Sequence, residues 1–150
     1  MKFLCDQMFG TLAKWLRILG FDTFYSNEGL SDTEILDIAK KENRVLITRD
    51  KHLSYNARRE NVKNIFVNEK NLDIQLKTVL KDIKIDEKQI LSRCLVCNSL
   101  VESIEKEKIK EKVPEKIFEN HDDFYYCRKC DKVYWIGSHF DMMKQKIKNL

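Results

Sequence analysis

SDTEILDIAKKENRVLITRD, residues 31–50, places a helix directly ahead of a strand, and that order decides the class of the fold. Ser31 and Glu34 stand at capping-box spacing, with Ser31 able to accept from a first-turn amide and Glu34 able to reach back. Behind them Ile35, Leu36, Ile38 and Ala39 supply one apolar stripe at helical spacing. From Arg44 the pattern changes to a β-rich run, Val45-Leu46-Ile47-Thr48, which stops at Arg49-Asp50.

The same alternation extends in both directions. Upstream, Lys2 to Cys5 reads as a strand, and residues 11–19 carry Leu12, Trp15, Leu16 and Leu19 at helical spacing. Gly20 stands where such a helix is expected to end in a left-handed cap, and residues 22–26 form a second short strand. Downstream, a polar helical stretch follows Asp50, residues 64–67 make a fourth strand, and residues 71–83 close the series as a helix on Leu72, Leu76, Val79, Leu80 and Ile83. Short apolar runs alternating with amphipathic stretches predict an α/β fold around a parallel sheet.

Composition shifts after Asp86, and the seam falls between residues 86 and 92, which divides the chain into 1–88 and 89–150. Its 150 residues, 43% hydrophobic and 35% charged, suffice for one good core and a small satellite domain. The N-terminal run meets Asp6 early, and no apolar stretch approaches the ~20 residues of a membrane helix, so a cytoplasmic protein without membrane insertion is expected. A net charge of +4 from 28 basic and 24 acidic residues does not describe a surface built to coat polyanions. Within the second segment, the acid and lysine alternation of residues 105–116 predicts a solvated ribbon or helix. From His139 onward, Phe140, Met143, Ile147 and Leu150 share one helical face.

Five cysteines in a chain of this class point to a reducing compartment, where paired thiols serve as metal ligands more often than as disulfides. Cys94-Leu95-Val96-Cys97 and Cys127-Arg128-Lys129-Cys130 are two such pairs, 29 residues apart. Two knuckles complete the tetrahedral shell of one structural zinc ion and leave it no open position for hydrolysis. A redox pair would stand alone at a helix N-terminus and need no second copy. Asn98 and Asp131, each following a pair, suit the turns that knuckles make. Cys5 reads as a small core residue.

Reaction chemistry then falls to the first segment, because ligands of open parallel sheets bind outside the carboxyl ends of the strands. Asp6 follows the first strand, Asp50 follows the third, and Asp32 opens a capped helix entering from the same edge. Three converging carboxylates repel one another unless a cation neutralises them, so the set suits Mg²⁺ or Mn²⁺ and phosphate chemistry. The competing reading makes Asp6 and Asp50 ordinary helix caps and Asp32 part of an acid-rich first turn. Phosphate-binding glycine loops and nucleophile-elbow sequences do not occur.

Phe3-Leu4-Cys5-Asp6, the run from Leu12 to Gly20 and Val45-Leu46-Ile47-Thr48-Arg49-Asp50 resemble the Mut7-C family of PIN-like ribonuclease domains. Ser92-Arg93-Cys94 with Cys97-Asn98, Val113-Pro114, Phe124-Tyr125-Tyr126-Cys127 with Cys130, and the run from Val133 to His139 resemble that family's fused zinc ribbon. Leu95 and Val96 stand where a proline is common, with the ligand spacing intact. The resemblance implies a PIN-like three-layer sandwich with a central parallel sheet, a small C-terminal zinc ribbon, and Mg²⁺- or Mn²⁺-dependent endoribonuclease activity. It carries the acidic positions onto Asp6, Asp50 and, with Asp37 as the competitor on the same helix, Asp32. Lys14, Arg17 and Arg49 then become candidate contacts for substrate phosphates, against simple salt bridging for the first two. Two other functions fit the same motifs: a non-catalytic RNA-binding or ribonucleoprotein adaptor gripping through Tyr125, Tyr126, Tyr134 and Trp135, and a PIN-type toxin component.

Overall fold

In a computed structural model that describes residues 1–27 and 29–149, with His139 and Phe140 by backbone alone, eight elements alternate through the first half. They are β1 (Lys2–Cys5), α1 (Gly10–Ile18), β2 (Asp22–Tyr25), α2 (Asp32–Lys41), β3 (Val45–Thr48), α3 (Lys51–Arg59), β4 (Asn64–Phe66) and α4 (Leu72–Val79). The four strands are parallel, in the order β2-β1-β3-β4. Phe3 pairs with Thr23 on one side and Val45 on the other, so β1 and β3 are the central strands. The sheet buries apolar side chains on both faces, as parallel sheets require. Leu4 and Leu46 pack with Ile35, Leu36 and Ala39 of α2 and Leu53 and Ala57 of α3. By strand alternation Phe3, Cys5 and Ile47, all fully buried, point to the other face. There α1 packs beside α4, with Leu12, Leu16 and Leu76 fully buried.

Local chemistry sets the element ends. The Ser31 hydroxyl accepts from the Glu34 amide at 3.2 Å and starts α2. At the end of α1, Gly20 adopts φ +93°, while the Gly20 and Phe21 amides donate to the carbonyls of Arg17 and Leu16. The helix expected over 71–83 stops at Val79, with Leu80 as its cap and Asp82 at φ +62°. A left-handed residue there ends the helical hydrogen-bond ladder before Ile83.

The chain forms two compact units, Met1–Asn98 and Ser99–Leu150. The first CxxC therefore lies in the same unit as the sheet. Unit two holds β5 (Glu102–Ile104), α5 (Glu115–Asn120), β6 (Phe124–Cys127), β7 (Lys132–Trp135) and α6 (Ser138–Lys148). Its strands form an antiparallel sheet in the order β5-β6-β7. The core is small: Ile109, Val113 and Phe124, with Ile104, Ile117, Phe118, Val133 and Trp135 packed around them. Residues 105–116 are thus not merely a solvated surface, because a 3₁₀ turn over Lys106–Ile109 drives Ile109 to full burial. On α6 Met143 is buried and Ile147 half-buried, whereas the Phe140 side chain and Leu150 of the expected apolar face lie outside the described residues. No helix among the described residues is long and apolar enough to cross a membrane.

Candidate active site and metal centre

The strand order changes direction at β1 and β3: the chain leaves β1 for β2 on one side and returns to place β3 on the other. Such a switch point opens a crevice at the carboxyl ends of the two central strands. A cleft of about 400 Å³ occupies that edge, and Asp6, Asp32, Asp50 and Arg49 all line it, together with Ser26 and Ile35. Asp37, exposed and further along α2, does not.

Each acid is held by its backbone surroundings. Asp6 caps a 3₁₀ turn, its Oδ1 accepting from the Gln7 amide at 2.7 Å. Asp50 caps α3, with Oδ1 accepting from the amides of His52 at 2.8 Å and Leu53 at 3.1 Å. Asp32 begins α2, exposed and one residue past its cap. The capping reading of Asp6 and Asp50 is therefore correct, yet it does not compete with a role in the cleft. Capping engages one oxygen and orients the other. Thr48 joins the two: its hydroxyl, fully buried, donates to Asp6 Oδ2 at 3.0 Å and accepts from the Asp50 amide at 3.0 Å. No motif or spacing in the sequence singles out Thr48. The available signal is a hydroxyl ending an otherwise aliphatic strand two residues before an acid.

The basic candidates separate. Arg49 lines the cleft and is half-buried. Lys14 is exposed on α1 and is not among the lining residues. Arg17 is a correction: it is buried, its Nε donates to the Thr23 carbonyl at 3.0 Å, and its Nη1 donates to the carbonyls of Leu95 at 2.8 Å and Val96 at 3.3 Å. A guanidinium committed to three carbonyls is not a phosphate contact, and its partners are not the acids of a neighbouring helix either. Burial lowers its proton affinity.

Cys94, Cys97, Cys127 and Cys130 form the second constellation, with ligand atoms all within 4.8 Å of one another. A ZnS₄ tetrahedron with bonds of about 2.3 Å needs sulfurs roughly 3.8 Å apart, and four thiols this close are a donor set that suits one zinc ion. The first cysteine of each pair is buried and the second half-buried. Each pair is followed by a left-handed residue, Asn98 at φ +70° and Asp131 at φ +52°, as the tight knuckle turn demands. Asp131 Oδ1 also accepts from Tyr126 Oη at 2.5 Å and pairs with Lys112 at 2.6 Å. The Lys112 ammonium and then the Tyr126 hydroxyl hold its carboxyl below the usual range. None of the five cysteines forms a disulfide. Burial pushes the Cys5 thiol up to about 12, which keeps it protonated in the core. Trp135 is half-buried against the cluster of Ile109, Val113 and Phe124, so its ring packs on the core of the antiparallel-sheet unit.

The two constellations differ in finish. Among the described residues, the cysteines are the group of three or more such side chains whose ligand atoms all come within 4.8 Å. The aspartates share a cleft without that closeness.

A family model for the Mut7-C RNAse domain matches residues 1–147, nearly the whole chain. Neither a curated protein nor a solved structure matches it.

Proposed function

Because the chain belongs to the Mut7-C RNAse domain family, we propose that it is a metal-dependent endoribonuclease whose reaction centre is the acidic cleft at the carboxyl edge of the parallel sheet. The observation that carries this reading is that Asp6, Asp32, Asp50 and Arg49 line one cleft, at the switch point where such sheets bind ligands. The ribonuclease class itself follows from the family. We read the sheet unit as a PIN-like sandwich and residues 89–150 as the zinc ribbon fused to it.

Asp6, Asp32 and Asp50 offer hard oxygen donors, which suit Mg²⁺ or Mn²⁺. Such a cation supplies Lewis-acid charge and a more acidic water for phosphodiester hydrolysis. The remaining work belongs to the chain. Thr48 holds Asp6 Oδ2 and the Asp50 backbone in fixed relation, so two of the three carboxylates meet an incoming cation already oriented. Arg49 sets a positive charge on the cleft wall beside the acids, where it offsets repulsion between them and an RNA phosphate. Lys14 lies outside the cleft and suits a more distant phosphate of the same strand. The four cysteines hold a structural zinc ion and take no part in the reaction. A reducing cytoplasm fits this assignment, since oxidation would take the thiolates from the metal.

The test is cleavage of a panel of RNAs with Mn²⁺ present, comparing the unmodified protein with Asp6→Asn. A loss of at least about a hundredfold is expected, because residues behind metal ligands already contribute about 10–100-fold. Equal cleavage by both proteins ends the assignment, and an RNA retained by both without cleavage turns it toward a binding adaptor.

A further inference from the structure

Among the described residues, the edge of β2 away from β1 carries no strand. Unpaired edge groups of a buried sheet need partners, and Thr23, fully buried, finds both of its own in one place. Its amide donates to Asn98 Oδ1 at 3.0 Å and its carbonyl accepts from Arg17 Nε at 3.0 Å. Asn98 is the left-handed residue that closes the first CxxC turn, and its own amide donates to the Cys94 carbonyl at 2.9 Å. Arg17 donates to Leu95 and Val96, the two residues between those cysteines. Asn98 Nδ2 donates to Asp22 Oδ1 at 2.7 Å, and Arg44 pairs with the same oxygen at 2.8 Å while donating to the Phe3 carbonyl on β1 at 3.1 Å. Arg93 Nη1 donates to the Asn98 carbonyl at 2.8 Å, and the Leu91 amide donates to the Ile18 carbonyl at 2.8 Å. Every one of these partners belongs to the unit Met1–Asn98.

We propose that the first CxxC turn is a zinc-dependent clamp on the edge of β2, so that zinc at the cysteine site governs the order of a strand in the nuclease sheet. The clamp acts through shape. Leu95, Val96 and Asn98 present carbonyls and an amide side chain to Arg17, Thr23 and Asp22 only while the turn keeps its knuckle conformation, and a metal on Cys94 and Cys97 fixes that conformation. Without it, the turn bears its own ordering entropy and β2 loses the partners of its outer edge. The disturbance reaches the acidic cleft by chain connection, because β2 runs into Ser26 and then Asp32, which line it. Arg17 and Asn98 are positioning residues; neither touches substrate or metal.

The inference rests on the reading of the four cysteines as a zinc site, and the experiment separates the two. Amide hydrogen exchange is followed at Thr23, with Leu46 on β3 as internal control because its amide bonds to the Lys63 carbonyl. The full chain is compared zinc-loaded and after chelation, with zinc content measured in parallel. Exchange at Thr23 should quicken by about tenfold or more on zinc removal while Leu46 stays protected. Asn98→Gly keeps the left-handed backbone at no steric cost and deletes the side chain, so it should free Thr23 even with zinc bound. Absence of zinc from the purified protein overturns the metal reading and the clamp with it. Zinc at one equivalent with unchanged Thr23 exchange after chelation overturns the clamp alone, and this pair decides the matter should the variant fail to hold metal. Full Thr23 protection in zinc-loaded Asn98→Gly overturns it equally.

Discussion

Four sulfurs within 4.8 Å of one another and three carboxylates lining a cleft of about 400 Å³ are two sets of potential metal donors, built on opposite principles. The sulfurs are soft and paired by short turns. Their neutral thiol forms crowd without strong repulsion, so the shell can be complete in the fold itself. The carboxylates are charged, hard, and carried on three separate elements, Asp6 and Asp50 as caps and Asp32 in the first turn of α2, where like-charge repulsion opposes a closer approach without a cation. Openness suits the reaction centre proposed for the acids, and closure suits the structural role proposed for the cysteines. The cores on either side repeat the contrast. Unit one buries Phe3, Leu4, Leu12, Leu16, Leu46 and Ile47 completely, whereas the apolar cluster of unit two centres on Ile109, Val113 and Phe124.

The contrast breaks most visibly at the metal. Zinc removal, or Cys127→Ser, should abolish the tertiary structure of the ribbon, since structural zinc contributes on the order of 10 kcal/mol and little apolar burial stands behind it. Loss of dispersion in the amide resonances of β6 and β7 is the readout, and a folded metal-free ribbon would contradict this view. Next in size, Asp6→Asn or Asp50→Asn should lower RNA cleavage by at least about a hundredfold with little change in the melting temperature, while Asp37→Asn leaves the rate intact. A rate loss confined to Asp37→Asn would reverse the assignment of the α2 acid. Thr48→Val comes third. It unties Asp6 from the Asp50 backbone by removing two hydrogen bonds, at about 0.5–1.5 kcal/mol of stability each, and should cut kcat by roughly tenfold with KM nearly unchanged.

Smaller still is a pH effect at the β2 edge. Burial opposes ionisation of Asp22, but the hydrogen bonds from Asn98 and Arg44 outweigh it and hold the carboxyl below its usual range. A depressed native value means the stabilisation is complete above the ordinary carboxyl range and is lost as pH falls through the native value. Urea midpoints between pH 6 and 3 should therefore decline less steeply for Asp22→Asn than for the unmodified chain. Arg49→Ala should have the smallest effect, raising KM for RNA at low salt with kcat nearly constant. A fall in kcat alone would move Arg49 from phosphate binding into transition-state stabilisation.

How much of this was legible in the sequence depended on whether a residue acts on its own neighbours or on distant ones. Ser31 with Glu34, Gly20 after its helix, and Asn98 and Asp131 after their cysteine pairs act within a turn of themselves, so their spacing already predicted their conformation. The parallel sheet followed from the alternation of strand and helix patterns. Thr48 escaped notice and Arg17 was given another role because their partners are 42 and 78 residues away, and no local pattern encodes a bond across that span. Ile109 was masked by the lysines and acids around it, since one buried residue in a charged segment has no periodicity to betray it. Arg17 also shows how a cation on a helix invites an ionic reading while its partners are carbonyls.

Gly20 has a consequence for inheritance as well as for folding. At φ +93°, a Cβ at this position would come within 2.4 Å of the Gln89 carbonyl oxygen, a backbone atom that no rotamer change can move aside. Gln89 sits just ahead of Leu91, whose amide bonds to the end of α1 as the chain returns toward Cys94. A library randomised at codon 20 and selected for soluble protein should recover glycine alone. One randomised at codon 29 should accept many residues, because a Cβ on Gly29 would meet no atom within 4 Å and only a strained φ of +104° discourages them.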